Sequence, residues 1–258
     1  MIKITAVTNV GNRYEVNEDA IGWDEQCKLY FVADGMGGHA AGEVASAIVS
    51  QALLADDGPI SLKDRVLQAH SDICEAVATD ISLHGMGSTV VAAQIQGQLC
   101  ELCWVGDSRA YLWRADELQQ LTQDHSLVQT LLQSGEINWE QAQNHPQKNV
   151  ITQTLGINVP IPGQSSLDLC PGDWLLLCSD GLTDELSDTE IAEILSRSST
   201  PAKAQSELIS ASLAKVGRDN ISVMILRYSK YDWRILLALI AGMLGAAAIA
   251  ILTLSYLD

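Results

Sequence analysis

The pattern of apolar and polar positions divides most of the chain into short strands with helices between them. Strands are predicted where apolar residues alternate with polar ones or form short runs between turn residues: "MIKITAVT", "STVVAAQI", "QLCELCWVG", "AYLWR", "ELQQLT", "DWLLLCSD" and "NISVMILRY". Helical spacing predicts helices over residues 42–54 and 62–84, a polar helix-like stretch over 126–145, and further helices that begin near residues 189 and 201. Strands with helices on both outer sides predict an α+β fold, a four-layer α-β-β-α sandwich of two mainly antiparallel sheets.

An uncharged apolar run over residues 235–257 stands apart from this pattern. About 20 apolar residues cross a bilayer as a helix, so the run is long enough to span a membrane; a buried core helix is the less favoured alternative. Aromatic residues flank the run, and lysine and arginine precede it, which by the positive-inside rule places the preceding residues in the cytoplasm. The pattern predicts a domain over residues 1–229, a basic juxtamembrane linker over 230–234 and one transmembrane helix over 235–257, at the inner membrane.

Small side chains recur every four residues along the apolar run, at Ala238, Gly242, Ala246 and Ala250. Such a stripe lets two membrane helices approach each other closely. A homodimer through the transmembrane helix is therefore one expectation. A monomeric anchor is equally consistent with the pattern, because small residues are common in membrane spans.

Charge and cysteine content narrow the function classes. The formal net charge of −17 argues against a nucleic-acid partner, because phosphate backbones are bound by clusters of lysine and arginine. The N-terminal segment lacks the long apolar core of a secretory signal. The six cysteines show no framework spacing, which favours free thiols in a reducing compartment. Cys100 and Cys103 lie three positions apart in a predicted strand and should point to opposite faces, which argues against a zinc site.

Aspartates recur at the ends of apolar strands, each beside a small residue: Asp34 in "FVADG", Asp107 in "CWVGDS", Asp180 in "LLLCSDG" and Asp219 in "GRDN". One Asp-Gly pair alone is ordinary turn chemistry. Several at strand ends predict a cluster of carboxylates at one mouth of the sandwich, where mutual repulsion and burial require a cation. An all-oxygen ligand set suits Mg²⁺ or Mn²⁺, and the backbone carbonyl of Gly35 can face such an ion because glycine has no side chain. The pattern predicts a two-metal site.

Motifs that follow one another between about residues 4 and 228 carry a family resemblance: "NEDA", "VADGMGGHAAGEVAS", "GMGSTVVAA", "VGDSRAYLWR", "LTQDHSLVQTLLQSG", "LLLCSDGLTDELSD" and "GRDNISV". In content and order they resemble those of bacterial metal-dependent protein phosphatases of the type 2C (PPM) family. The resemblance implies hydrolysis of phosphoserine and phosphothreonine in proteins, opposing serine/threonine kinases in bacterial signalling. It also implies two core Mn²⁺ or Mg²⁺ ions that activate a water for in-line attack on phosphorus.

The resemblance further implies which residues hold the metal. Asp34 should bridge the two ions, and the carbonyl of Gly35 should bind one of them. Asp180 and Asp219 should complete the protein ligands of the other ion. Asp107, together with Asp180, should hold a third and weaker ion.

Other residues are implied to act around the ions. Glu18 and Asp19 should act mostly through metal-bound water. The family's phosphate-binding arginine would fall at Tyr14, whereas the chain has Arg13 one position earlier. That offset reverses the side chain in a strand, although a loop would let Arg13 reach the phosphate. His39 is a candidate proton donor to the leaving alkoxide; packing against its own turn is the alternative.

Two other function classes compete with an active phosphatase. A membrane-tethered pseudoenzyme that binds phosphoproteins without turnover is favoured only by the Arg13 offset, since the predicted metal aspartates are all present. Nucleotide binding through the glycine-rich loop lacks the lysine and serine or threonine of a P-loop. The motifs therefore favour phosphoprotein hydrolysis.

Overall fold

Two antiparallel sheets form the centre of the computed structural model, which describes residues 1–37, 41–56, 58 and 60–229. The strands are β1 Ile2–Asn9, β2 Asp19–Asp24, β3 Leu29–Met36, β4 Gly87–Ser88, β5 Val90–Gln96, β6 Leu99–Val105, β7 Arg109–Arg114, β8 Glu117–Gln120, β9 Gly163–Asp168, β10 Trp174–Cys178 and β11 Ile221–Tyr228. The first sheet has the order β1-β11-β10-β7-β8, and the second has the order β2-β3-β5-β6-β9, with β4 paired to β3. The paired strands in both sheets are antiparallel, as predicted.

Helices cover the outer face of each sheet. Their bounds are α1 Ala41–Leu54, α2 Leu62–Thr79, α3 Leu127–Ser134, α4 Trp139–Gln143, α5 Asp180–Thr183, α6 Asp188–Arg197 and α7 Pro201–Lys215, with a 3₁₀ turn at Ile81–Leu83. One apolar cluster joins α1 and α2 to the second sheet, another joins α6 and α7 to the first, and a third lies between the sheets. Cys103 belongs to the first of these clusters and Cys100 to the third, so the two thiols do point to opposite faces. The predicted layers are confirmed for the described residues.

The structure differs from the predicted elements at several places. The helix expected over residues 62–84 ends at Thr79, because the Asp80 carboxylate accepts the Ser82 N–H and begins a separate 3₁₀ turn. The polar stretch over 126–145 forms two short helices instead of one, since Gly135 adopts a left-handed conformation (φ 74°) between them. Strands β2, β4 and β9 and the short helix α5 were not predicted. The sequence of β9, "GQSSLD", is mostly polar, as is common for an edge strand.

Some predictions fall on residues outside the described ranges. They are the basic linker over 230–234, the transmembrane helix over 235–257 with its stripe of small residues, and His39. Within the described ranges, none of the helices has the length and apolar character needed to cross a bilayer.

Candidate metal centre and active site

The two sheets bring the predicted aspartates to one edge of the sandwich. Asp19 in β2 stands directly opposite Asp34 in β3. In the other sheet, Asp180 follows β10 and Asp219 precedes its neighbour β11. Asp107 lies in the connection from β6 to β7, which passes from one sheet to the other. One difference concerns β3, which continues through Asp34 to Met36 instead of ending at the aspartate.

Hydrogen bonds to Asp19 join the two sheets at this edge. Its Oδ2 accepts from Ser179 Oγ at 2.8 Å and from Ser222 Oγ at 2.6 Å. Ser179 immediately precedes Asp180, and Ser222 lies in β11. Asp19 is thereby fixed against both strands that carry the opposing aspartates.

A second buried network joins the backbone of Asp34 to Ser108, the neighbour of Asp107. The Thr89 N–H donates to the Asp34 carbonyl at 2.8 Å, and the Asp34 N–H donates to Thr89 Oγ1 at 3.3 Å. Thr89 Oγ1 also shares a hydrogen bond of 2.7 Å with Ser108 Oγ, beside Asp107. Ser88, Thr89 and Ser108 are fully buried, so this network holds the backbone at Asp34 and beside Asp107 through groups that bulk solvent does not reach.

Glu18 and Gly35 pack where β3 leads towards α1. The Gly35 N–H donates to the Glu18 carbonyl at 3.1 Å. A Cβ built on Gly35 would lie 1.9 Å from the Gly42 carbonyl oxygen, so no other residue fits there. Burial raises the pKa of Glu18, while a hydrogen bond from the Gly42 N–H lowers it. Glu18 thus anchors the first turn of α1 beside the aspartates.

The carboxyl groups at this edge disfavour one another's ionised form. Burial, followed by the charges of Asp19 and Asp180, raises the pKa of Asp34 well above its ordinary range. Burial and the charges of Asp107 and Asp219 do the same to the pKa of Asp180. Burial raises the pKa of Asp107 to about 7, with a further contribution from Asp124, and raises that of Asp19 to about 6.

The donor set of the edge fits hard divalent cations. Asp19 Oδ1 and Asp180 Oδ1 are buried and have no hydrogen-bond partner among the described residues. Buried carboxylate oxygens normally have a partner, and oxygen donors of this kind suit Mn²⁺ or Mg²⁺. Among the described histidine, cysteine, aspartate and glutamate side chains, no three are arranged to hold one ion by themselves. Backbone carbonyl and water would therefore have to complete each shell.

Arg13 lies outside this cluster of carboxylates, in the loop between β1 and β2. It is exposed, and its guanidinium carbon lies 5.6 Å from the centroid of the Tyr14 ring, which is also exposed. Because the segment is a loop and not a strand, the one-residue offset does not force the two side chains onto opposite faces.

His125 has a packing role at the edge of the sandwich that carries the aspartates. Its Nδ1 accepts the Gly106 N–H at 3.2 Å, and its ring stacks on Trp104 with centroids 6.3 Å apart. Burial lowers the pKa of His125, which favours the neutral ring that this hydrogen bond requires. His125 supports the backbone next to Asp107.

Several supporting residues were not singled out from the sequence. They are Ser88, Thr89, Ser108, Ser179, Asn220 and Ser222. All of them lie within the quoted motifs. Ser108, Ser179, Asn220 and Ser222 are within a few positions of an aspartate of the cluster, whereas Ser88 and Thr89 are distant from it in the sequence. Small polar residues at strand ends that are otherwise apolar were the signal that could have identified them.

The sequence profile of the family described as "Protein phosphatase 2C" matches residues 12–216. The chain belongs to the protein phosphatase 2C family. The predicted resemblance is thereby confirmed. The matched range includes Asn12, Arg13 and every residue of the carboxylate cluster except Asp219.

Relatives within the phosphatase 2C family agree with this assignment. The chain is 40% identical over 235 residues to the serine/threonine protein phosphatase PstP of Mycobacterium tuberculosis, covering 88% of this chain and 45% of the relative. It is 38% identical over 215 residues to the serine/threonine phosphatase stp of Listeria monocytogenes, covering 76% of this chain and 83% of the relative. The chain thus spans less than half of the mycobacterial relative.

A solved structure of the same family shares the fold. It is the catalytic domain of PstP in complex with two manganese ions, which is 36% identical with a TM-score of 0.79. The alignment covers 88% of this chain and 98% of that one.

Proposed function

We propose that the protein is a Mn²⁺- or Mg²⁺-dependent phosphatase that hydrolyses phosphoserine and phosphothreonine in proteins and opposes serine/threonine kinases in bacterial signalling. The observation that carries this proposal is the cluster of carboxylates at one edge of both sheets, with buried oxygens of Asp19 and Asp180 left without partners. Family membership and the names of the relatives support the same activity.

The proposed metal ligands are the carboxylates of the cluster and one backbone carbonyl: Asp34, Gly35, Asp107, Asp180 and Asp219. Asp34 is central to this set, because the charges of Asp19, Asp107, Asp180 and Asp219 all raise its pKa. We assign two core ions to the set, with Asp107 and Asp180 available to a third and weaker one. The manganese bound by the structure of PstP supports this choice of ion.

The protein's contribution to the chemistry is to hold charge and geometry in place. Bound Mn²⁺ or Mg²⁺ would supply Lewis acidity, which lowers the pKa of water and neutralises phosphate charge. Ser179 and Ser222 orient the Asp19 carboxylate, and Thr89 holds the backbone of Asp34, so this part of the site is arranged before any ion arrives. We assign Glu18 and Asp19 to orienting water at the ions and Arg13 to binding the substrate phosphate. His39, a candidate proton donor to the leaving alkoxide, stays a prediction.

A pseudoenzyme that binds phosphoproteins is the second candidate, and it is favoured by the exposure of Arg13 and its one-residue offset. Phosphate release from a phosphothreonine peptide, measured with Mn²⁺ and with EDTA, separates the two. We expect turnover only with the metal. Peptide binding without turnover at any Mn²⁺ concentration would favour the pseudoenzyme.

For the C-terminal segment we propose a single transmembrane helix over residues 235–257, joined to a phosphatase domain over 1–229 by the basic linker over 230–234. The support is the length of the apolar run and the basic residues before it. The catalytic domain would then face the cytoplasm at the inner membrane. Full-length protein should sediment with membranes and resist extraction by carbonate, and recovery in the soluble fraction would contradict this.

Pairing of two such helices through the small-residue stripe is a separate proposal. Gly242→Ile places a large side chain in the stripe and should abolish cross-linking through the span, while phosphatase activity stays unchanged. Leu244→Ile, on the opposite side of the predicted helix, is the control. A wild-type span that does not cross-link would end the dimer proposal alone.

A further inference from the structure

Asn220 makes hydrogen bonds that the proposed chemistry does not yet use. It follows Asp219, directly precedes β11 and is 4% exposed. Its Nδ2 donates to the Val10 carbonyl at 2.9 Å and to the Val16 carbonyl at 3.2 Å. Its Oδ1 accepts the Glu18 N–H at 2.7 Å. The side-chain amide therefore binds both ends of the loop over residues 10–18.

The hydrogen-bonding pattern requires an amide at this position. Both N–H donors of Asn220 point to carbonyl oxygens, and its own carbonyl faces an N–H. An aspartate has the same shape, but it would place a carboxylate oxygen against two carbonyl oxygens and leave them without a donor. Carboxylate and carbonyl oxygens in contact repel each other, and the partly buried Val10 carbonyl loses its donor, so the loop should separate from position 220 in such a variant.

The backbone of Asn220 connects the same loop to the carboxylates. Its N–H donates to Asp219 Oδ1 at 2.8 Å. A Cβ on Gly181, the neighbour of Asp180, would lie 2.0 Å from the Asn220 carbonyl oxygen, so the two segments are in close contact. One residue thus contacts the loop that carries Arg13, the Asp219 carboxylate and the turn that contains Asp180.

The outer side of the loop is held by separate contacts. The Asn12 N–H donates to the Gly217 carbonyl at 2.8 Å, and Asn12 Nδ2 donates to the carbonyls of Leu213 and Val216, both at 3.0 Å. Gly11 has φ 76°, and a Cβ there would lie 2.1 Å from the Asp219 carbonyl oxygen. The loop is therefore seated closely on the segment before β11.

We propose that Asn220 is a positioning residue: its side-chain amide holds the loop over residues 10–18, and with it Arg13, in a fixed place beside the Asp219 carboxylate. Arg13 itself is exposed at the surface, so its distance from the carboxylates depends on where the loop is tied. The role of Arg13 in this inference rests on the proposed phosphatase function. The positioning of the loop by Asn220 does not depend on that function.

The variant Asn220→Asp tests the inference with two readouts. Hydrogen exchange of the amides over residues 10–18 should become about tenfold faster or more, while the sheets keep their protection. The KM for a phosphothreonine peptide should rise about tenfold, with a smaller change in kcat, because the phosphate-binding side chain is misplaced. Asn144→Asp is the control, since that exposed amide also loses a donor bond, to the Glu140 carbonyl at 3.0 Å.

A double-mutant cycle with Arg13→Ala decides whether the loop acts through Arg13. If it does, Asn220→Asp raises KM little further in the Arg13→Ala background. Three results would each overturn the inference. The first is that the two substitutions raise KM by factors that multiply in the double variant. The others are an Arg13→Ala variant with unchanged KM, and an Asn220→Asp variant in which hydrogen exchange of the loop is unchanged. Should Asn220→Asp fail to fold, Asn12→Ala loosens the same loop from its outer side and must give the same pattern.

Failure of the proposed function is recognised separately. In that case the wild-type protein releases no phosphate with Mn²⁺, and the dissociation constant for the phosphothreonine peptide replaces KM in the cycle. The hydrogen-exchange result does not depend on turnover. It therefore tests the hydrogen bonds between Asn220 and the loop whether or not the protein is a phosphatase.

Discussion

Replacing Asp107 with asparagine should stabilise the metal-free protein at alkaline pH and have little effect in acid. The pKa of Asp107 is raised to about 7 by burial and by neighbouring carboxylates. Well below pH 3.8 the group is protonated in both the folded and the unfolded chain. As the pH rises from there to 7, the unfolded chain gives up its proton first, so the folded state progressively loses stability. Asp107→Asn removes that loss.

The size of the effect follows from the pKa displacement. At about 1.4 kcal/mol per pKa unit, the rise from 3.8 to about 7 sets an upper limit of ~4 kcal/mol. Because Asp107 is only half-buried and shares protons with its neighbours, we expect ~1–2 kcal/mol at pH 8. For a domain of this size that raises Tm by about 2–8 °C. At pH 5 the gain should fall to roughly a third of its value at pH 8.

Thermal unfolding in EDTA at pH 5 and pH 8 measures this directly. The lowered pKa values of His70 and His125 oppose the trend, but they act equally in both variants and cancel in the difference. Asp116→Asn is the control, because this exposed turn residue has φ 63°, a conformation that asparagine tolerates. Saturating Mn²⁺ should remove the advantage of Asp107→Asn. An Asp107→Asn variant that is less stable than wild type at pH 8 in EDTA would refute the reasoning.

Two further predictions concern the surroundings of the carboxylates. Arg13→Ala should raise the KM for a phosphothreonine peptide about tenfold and lower kcat less, because the loss corresponds to one charge-assisted hydrogen bond. If instead Tyr14→Arg raises kcat/KM while Arg13→Ala changes neither constant, Arg13 does not bind the substrate phosphate. Gly42→Ala should lower the free energy of unfolding by ~1–3 kcal/mol and weaken Mn²⁺ binding, because its Cβ would lie 2.6 Å from Glu18 Cδ. Calorimetry of unfolding and of Mn²⁺ binding measures both effects. Ser50→Ala in the same helix is the control.

The layers of the fold could be predicted because apolar alternation fixes which face of a strand is covered. Cys100 and Cys103 illustrate this, since three positions along β6 placed one thiol between the sheets and the other under the helices. Strand β9 could not be found in the same way. It lies at the edge of its sheet and alternates only between half-buried and exposed positions, so its polar sequence carries no apolar period.

The carboxylates of the site were predictable for a different reason. An aspartate at the end of an apolar strand is unusual enough to be noticed locally, and the antiparallel sheets then bring such ends together. Asn220 has no comparable local signal. Its amide bonds to Val10, Val16 and Glu18, which lie about 200 positions earlier in the sequence, so only the folded chain reveals them.

The most direct test of the proposed activity is Mn²⁺-dependent phosphate release by Asp180→Asn. The substitution keeps the shape of the side chain and removes one anionic oxygen from a position where Oδ1 is buried without a partner. With circular dichroism to confirm the fold and Asp116→Asn as the control, kcat on a phosphothreonine peptide should fall at least ~100-fold. Turnover by Asp180→Asn close to that of the wild type, or wild-type turnover that persists in EDTA, would contradict a metal-dependent phosphatase centred on these aspartates.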